Sequence, residues 1–176
     1  MLYKISFFIA GAIIIVAIIL GAKTNILKAS STNLNAPYSF SKVQLMWWTV
    51  IVSCCFIILY GRIGDFNLLN HSTLILLSIG LATTASSSLI DVGQKQKEVA
   101  RHQDGASVGF FRDIMSDGTG ISMHRFQGVL FNVLFGVTFV VTFWTKKDFP
   151  DYNAAELSLM GASSAAYLAL KTNENK

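Results

Sequence analysis

An all-α, membrane-embedded bundle of about five helices is the fold the sequence predicts, and three observations predict it. The 176-residue chain is 52% hydrophobic and 14% charged, with a mean hydropathy of +0.51, an apolar share above that of soluble domains. Its apolar residues gather into five stretches nearly free of charge, each about 18 or more residues long, the length a helix needs to cross a bilayer core. Two of these stretches also open on the same residue pattern, so a pair of spans is expected to occur twice. The same figures exclude a soluble globular domain, a secreted disulfide scaffold and a disordered tail.

The first apolar run lies between Lys4 and Lys23 and is driven by Ile13, Ile14, Ile15, Val16, Ile18 and Ile19. It has no convincing small-x-small cleavage site, so residues 1–22 are expected to be a retained signal-anchor span. Residues 23–37 read as a cytoplasmic linker. A second run between Lys42 and Arg62 and a third from about Ser72 to Leu89 make a hairpin over 38–90. Runs between Arg125 and Lys146 and from about Asn153 to Leu170 make another over 121–170. The last of these is rich in Ala and Ser and carries Glu156 near an end, where a carboxylate reaches water. Residues 171–176 form a cytoplasmic tail.

The connection at 91–120 divides in two. Gln94 to Asp104 mixes Lys95, Lys97, Glu98 and Arg101 without an apolar stripe and reads as a solvated helical extension or loop. Val108, Phe111, Ile114 and Met115 then fall at helical spacing opposite Arg112, Asp113 and Ser116, which predicts a short helix in the membrane interface. A turn over Asp117, Gly118, Thr119 and Gly120 follows.

Charge predicts the orientation. Net charge is +4 and the isoelectric point is near 9.1, yet no run of five like charges suggests a nucleic-acid partner. With five spans, one side of the membrane holds Lys4, Arg62, Lys146 and Lys147. The other holds Lys23, Lys28, Lys42, Lys95, Lys97, Arg101, Arg112, Arg125, Lys171 and Lys176. Basic residues resist translocation, so the amino terminus is expected outside and the carboxyl terminus in the cytoplasm. Cys54 and Cys55 are adjacent within an apolar span and imply neither a disulfide nor a metal site.

The repeated pattern is S-x-x-[KR]-x-Q-x-x-x-aromatic, from Ser39, Lys42, Gln44 and Trp48 and again from Ser122, Arg125, Gln127 and Phe131. About 30 residues on, a small-residue helix at Leu76–Ala85 aligns with Leu157–Ala166. Both hairpins start on the same side, so a parallel repeat about an axis along the membrane normal is expected. The duplicated hairpin, with its G-x-S-type second helices, resembles an uncharacterised family of small bacterial membrane proteins over roughly residues 38–170. The resemblance implies this architecture and a bacterial inner membrane, and it brings no established activity.

The repeat supplies the candidate site residues. Ser39 and Ser122 precede helices and are expected to cap them, while Lys42 and Arg125 snorkel to lipid phosphates. Trp47, Trp48 and Trp144 are expected as interface anchors. Gln44 and Gln127 lie just inside the membrane, to bond between hairpins or line a polar path. Gly80, Thr84 and Ser88, and likewise Gly161, Ala165 and Ala169, fall four apart and predict packing seams. The hydroxyls of Ser78, Thr83, Ser87, Ser163 and Ser164 offer the alternative of a narrow wet lumen in an oligomer.

His71, His102 and His124 stand apart, no calcium loop or lipid phosphotransferase signature surrounds Asp117, and no span has a central ionisable residue. The sequence therefore predicts a non-enzymatic protein with no cofactor and no metal. Its partners are membrane lipids and further copies of itself, with a pore or channel-type effector as the extension of that reading. The alternative is an assembly or anchoring subunit of a larger membrane complex.

Overall fold

The computed structural model describes residues 2–66, 68–99, 101–118 and 120–175. Six α-helices account for most of them: α1 (Leu2–Lys23), α2 (Phe40–Ile63), α3 (His71–Gln96), α4 (Phe110–Met115), α5 (Met123–Lys146) and α6 (Ala154–Asn173). Between α4 and α5 lies a two-stranded antiparallel ribbon, β1 (Ser116–Asp117) and β2 (Gly120–Ile121), which turns the chain where Asp117 to Gly120 predicted it. Thr119 lies outside the described residues.

Four helices, α1, α2, α3 and α5, are long and apolar enough to cross a membrane. The expected fifth span does form a helix, α6, but Glu156, Lys171 and its many small residues leave it less apolar than the other four. It nonetheless runs beside α3 from end to end. At one end the Ser72 hydroxyl donates to the Pro150 carbonyl, 3.2 Å, and accepts from the Tyr152 amide, 3.1 Å. At the other, Lys171 meets Asp91.

Both hairpins close in the same way. α2 ends on Gly64 and α5 on Lys147, each left-handed, with φ of 79° and 59°. α3 and α6 begin after Asn70 and Asn153, whose side chains accept from the amides of Thr73 and Glu156. These caps lie 83 residues apart, as do the first and last residues of α2 and α5. At that spacing Asp65 and Phe66 match Asp148 and Phe149, and Asp91 matches Glu174. Gly80 and Gly161, aligned in the sequence, lie 81 apart and are out of register by two: the caps set Gly80 against Ser163.

The hairpins stack like on like, α5 against α2 and α6 against α3, as neighbouring units do in helical-repeat folds. This corrects the expected rotation about an axis along the membrane normal, which would have set like helices at opposite corners of the bundle. Trp48, Val52, Leu59, Leu76, Phe139, Phe143, Phe149 and Met160 fill the middle. Trp48 is therefore core, 1% exposed, and not an interface anchor. Its indole donates to the Asn132 side chain, 2.7 Å, because a buried indole N–H needs an acceptor.

Close approach is supplied by glycines other than those expected. Gly128 admits the Phe40 ring, and a Cβ at Gly136 would fall 2.6 Å from the Trp47 indole nitrogen. Gly61 in turn admits Ser6, which lets α1 lie on α2. By contrast, a Cβ at Gly80 would make an ordinary contact with Leu45, and one at Gly161 would meet nothing. Ala165 and Ala169 are exposed and Gly161 has open space beside it, so the second predicted seam packs against no helix among the described residues.

Gly136→Ala should therefore drive the Trp47 indole from its bond to the Asn132 carbonyl and cost about 1–3 kcal/mol, as overpacking does. Gly161→Ala, which meets open space and favours the helix, should leave the unfolding midpoint in detergent unchanged or raise it; an equal fall for both variants would contradict the assignment.

Candidate functional site

At the end of the bundle where α2 and α5 begin, the 97–122 segment folds over the helix ends and closes a buried polar cluster. Its centre is Asp91, 5% exposed, in the last turns of α3. About 30 Å of helix separates it from the start of α3, roughly the thickness of a bilayer's hydrocarbon core. Lys171 of α6 donates to one carboxylate oxygen at 2.9 Å and Arg101 to the other at 3.3 Å. Lys171 also donates to the Ser87 carbonyl and hydroxyl, and Arg101 to the Ser30 carbonyl at 2.8 Å. A single carboxylate thus ties α3 to α6, to the folded-over segment and to the 23–39 connection.

A second pair lies alongside. Arg125, 4% exposed, donates to Glu174 and stacks over the Tyr167 ring. Asn175 completes the layer: its oxygen accepts from the His102 amide at 3.1 Å, and its nitrogen donates to Gln94 and Gln103, 2.9 Å each. Burial pushes the Glu174 carboxyl up to about 7, against the pull of Arg125 and Lys171. Burial also lowers the His102 imidazole, so its 3.7 Å approach to Glu174 is one of a largely neutral ring at pH 7.

A cavity of about 200 Å³ opens beside this layer, bordered among others by Ser39, Phe40, Asp113, Ser116, Arg125 and Lys171. Asp113 is not on a polar outer face of α4 as expected but buried, accepting from Ser107 at 2.6 Å, the Val108 amide at 3.0 Å and the Tyr38 amide at 3.1 Å. Val108 and Phe111 are exposed, as an interfacial position for this segment requires, whereas Ile114 points into the core.

Several expectations change here. Arg125 is no lipid anchor but a buried ion-pair partner, and Lys42 donates to the Lys28 carbonyl at 2.8 Å. Arg101 and Gln103 are buried, not solvated. Ser39 and Ser122 occupy the N-cap positions, yet neither side chain caps its helix: Ser39 pairs with the Ser41 hydroxyl and Ser122 with the His124 ring. Trp47 and Trp144 are exposed, Trp144 stacked on Phe7 and under Lys147.

The structure does not bring Gln44 and Gln127 together. Gln44 is buried and donates to Ser164 at 3.4 Å, while its Oε1 has no partner among the described residues; Gln127 is exposed. Thr84 bonds the Ser41 carbonyl across to α2 at 2.9 Å and Ser88 turns outward. Thr83 donates within its own helix, and Ser87 and Ser164 are spent on Lys171, Tyr167 and Gln44, so these hydroxyls line no lumen in the protomer.

Asp91→Asn should cost about 3–5 kcal/mol by stranding two buried cations, read as a lower unfolding midpoint in detergent. Glu174 titrates higher folded than unfolded, so its share of stability is present below about pH 4.5, falls as pH rises, and is gone above about 7. Glu174→Gln should flatten that window; an unchanged pH profile would contradict the burial assigned to Glu174.

Comparison of the chain with protein-family models, with curated proteins and with solved structures finds no match.

Proposed function

We propose that this chain is a non-enzymatic membrane protein that acts by self-association through the open face of α5. The observation that carries the reading is an asymmetry between equivalent faces. α1 borders α2 along Val43, Met46, Trp47 and Val50, with Cys54 and Gly61 touching Ala10 and Ser6. The residues 83 positions later on α5 are Phe126, Val129, Leu130, Val133, Val137 and Trp144. All are apolar and all but Val129 are exposed, with Trp144 alone among them meeting α1, through Phe7. Equal caps and the equal lengths of α2 and α5 support a duplicated hairpin, and a duplicated hairpin with one sheathed face and one largely bare face supports a partner of the same kind.

Gln127 adds to this. It stands on the exposed side of α5 with no side-chain hydrogen bond among the described residues, and an amide within a span gains from a partner helix. The protomer interior is packed with aromatic rings, so the proposal places no conduction path through it. The excess of basic residues at the end that carries the 97–122 segment supports a cytoplasmic location for that end, in a bacterial inner membrane.

Mass measurement in detergent and in nanodiscs should give a defined multiple of the 19.3 kDa protomer. Val133→Trp with Val137→Trp should reduce it to one copy while helicity is kept. A monomeric wild-type protein at all concentrations would remove the proposal. A reporter fused after Lys176 should be cytoplasmic and one in the 146–152 turn outside; the reverse pattern would overturn the orientation alone.

A further inference from the structure

α1 lies along α2 without closing on it at the end nearer Lys23. A groove of about 460 Å³ runs between Ile14 and Ala22 of α1, Val43 and Val50 of α2 and the Phe110 ring of α4. At about 1.5 Å of rise per residue it follows the two helices for about 10 Å. Every side chain bordering it is apolar or aromatic, and no carboxylate lines it. Its mouth is basic. Lys23 ends α1 one residue beyond Ala22. The Lys28 ammonium sits 3.5 Å from the centre of the Tyr38 ring, which meets Phe110 edge-on at 5.1 Å, and both rings border the groove. Lys23 is exposed and Lys28 half-buried, and among the described residues neither ammonium has a hydrogen bond or an ion pair. Residues 23–39 contain no acidic residue. Asp113 accepts from the Tyr38 amide, but it is buried, spent on three donors and outside the lining of the groove.

We propose that this groove binds an acyl chain of an anionic phospholipid whose headgroup lies against Lys23 and Lys28. The occupant has to be apolar along the groove and negative at its mouth, and a phospholipid of net negative charge is both. A zwitterionic headgroup would turn its own cation toward the two ammonium groups. A helix from a second copy is too thick: one turn, about 10 Å across and about 5.4 Å long, already takes up roughly 420 Å³. An acyl chain has the slimmer form that a groove of this length and volume accepts. The exposed Val108 and Phe111 flank Phe110 and set the mouth at the depth of the interface, where lipid phosphates lie and where lysines snorkel to reach them. No residue of α5 lines the groove, so the site is independent of the self-association proposed above.

The experiment uses the full chain in phosphatidylcholine nanodiscs, with Trp144→Phe as the parent. Trp47, which lines the groove, is then the exposed tryptophan, since Trp48 is 1% exposed. Tryptophan fluorescence is read against increasing fractions of phosphatidylglycerol with brominated chains, and in a second series of phosphatidylcholine with the same brominated chains. Half-maximal quenching should need about tenfold less of the anionic lipid, because basic residues near the surface attract it. Lys23→Gln with Lys28→Gln should abolish that difference. Ala22→Phe should abolish it too, since it fills the groove from an exposed position and leaves both lysines in place. A preference that survives Ala22→Phe belongs to the lipid surrounding the protein at large and overturns the site. Equal quenching by the two lipids in the parent, a preference unchanged without the lysines, or no quenching by either lipid, as a second copy seated in the groove would produce, overturns it as well.

Discussion

The carboxylate of Asp91 is the interaction on which the rest of this architecture rests. It holds Lys171 and Arg101 in a buried site at one end of the bundle, where mutual pairing offsets the cost of taking three charges out of water. Through these two cations it fixes the end of α6, the position of the folded-over segment and, by way of Ser30, the connection from α1. The polar layer around it, from Gln94 to Asn175, is satisfied almost throughout, so the end of the bundle has one arrangement rather than several. Among the described residues, buried side-chain atoms without a partner remain on Arg101, Arg125 and Ser116 at this end and on Gln44 and Thr73 elsewhere in the bundle.

A different constraint governs the apolar half. Like helices pack on like, which brings α2 and α5 together in parallel and demands small residues where the aromatic side chains of one meet the backbone of the other. Gly128 and Gly136, eight residues apart, answer Phe40 and Trp47, seven apart. Since lipid tails are as apolar as the helix surfaces, such close packing, with the indole bonds to Asn132, does the work that burial from water does in a soluble core.

Much of the fold was legible in the sequence. The helix positions follow from runs of apolar residues, and the two hairpins from a spaced Ser, Lys or Arg, and Gln. The small-residue seams were misplaced because glycine spacing says where a backbone is bare, not which neighbour lies over it: Gly161 faces open space while Gly136 is crowded. Charges were misjudged for a related reason. Arg101, Arg125 and Lys171 look like any solvated cation in a linear reading, since their partners lie 10, 49 and 80 residues away. One signal was available: aligning the hairpins at 83 places Asp91 over Glu174 and Lys42 over Arg125, an acidic and a basic residue at matching ends of both hairpins.

The modest apolarity of α6 carries a consequence for how the protein is made. Four helices have enough hydrophobic surface to leave a translocation channel for lipid unaided. α6, with Glu156 near one end and Lys171 near the other, gains little from lipid and much from α3. Its integration is therefore coupled to helices already in place: Asn70 and Ser72 receive the chain at Pro150, and Asp91 neutralises the lysine that arrives last. Biogenesis becomes ordered, with the final helix recruited by protein contacts and not by partitioning.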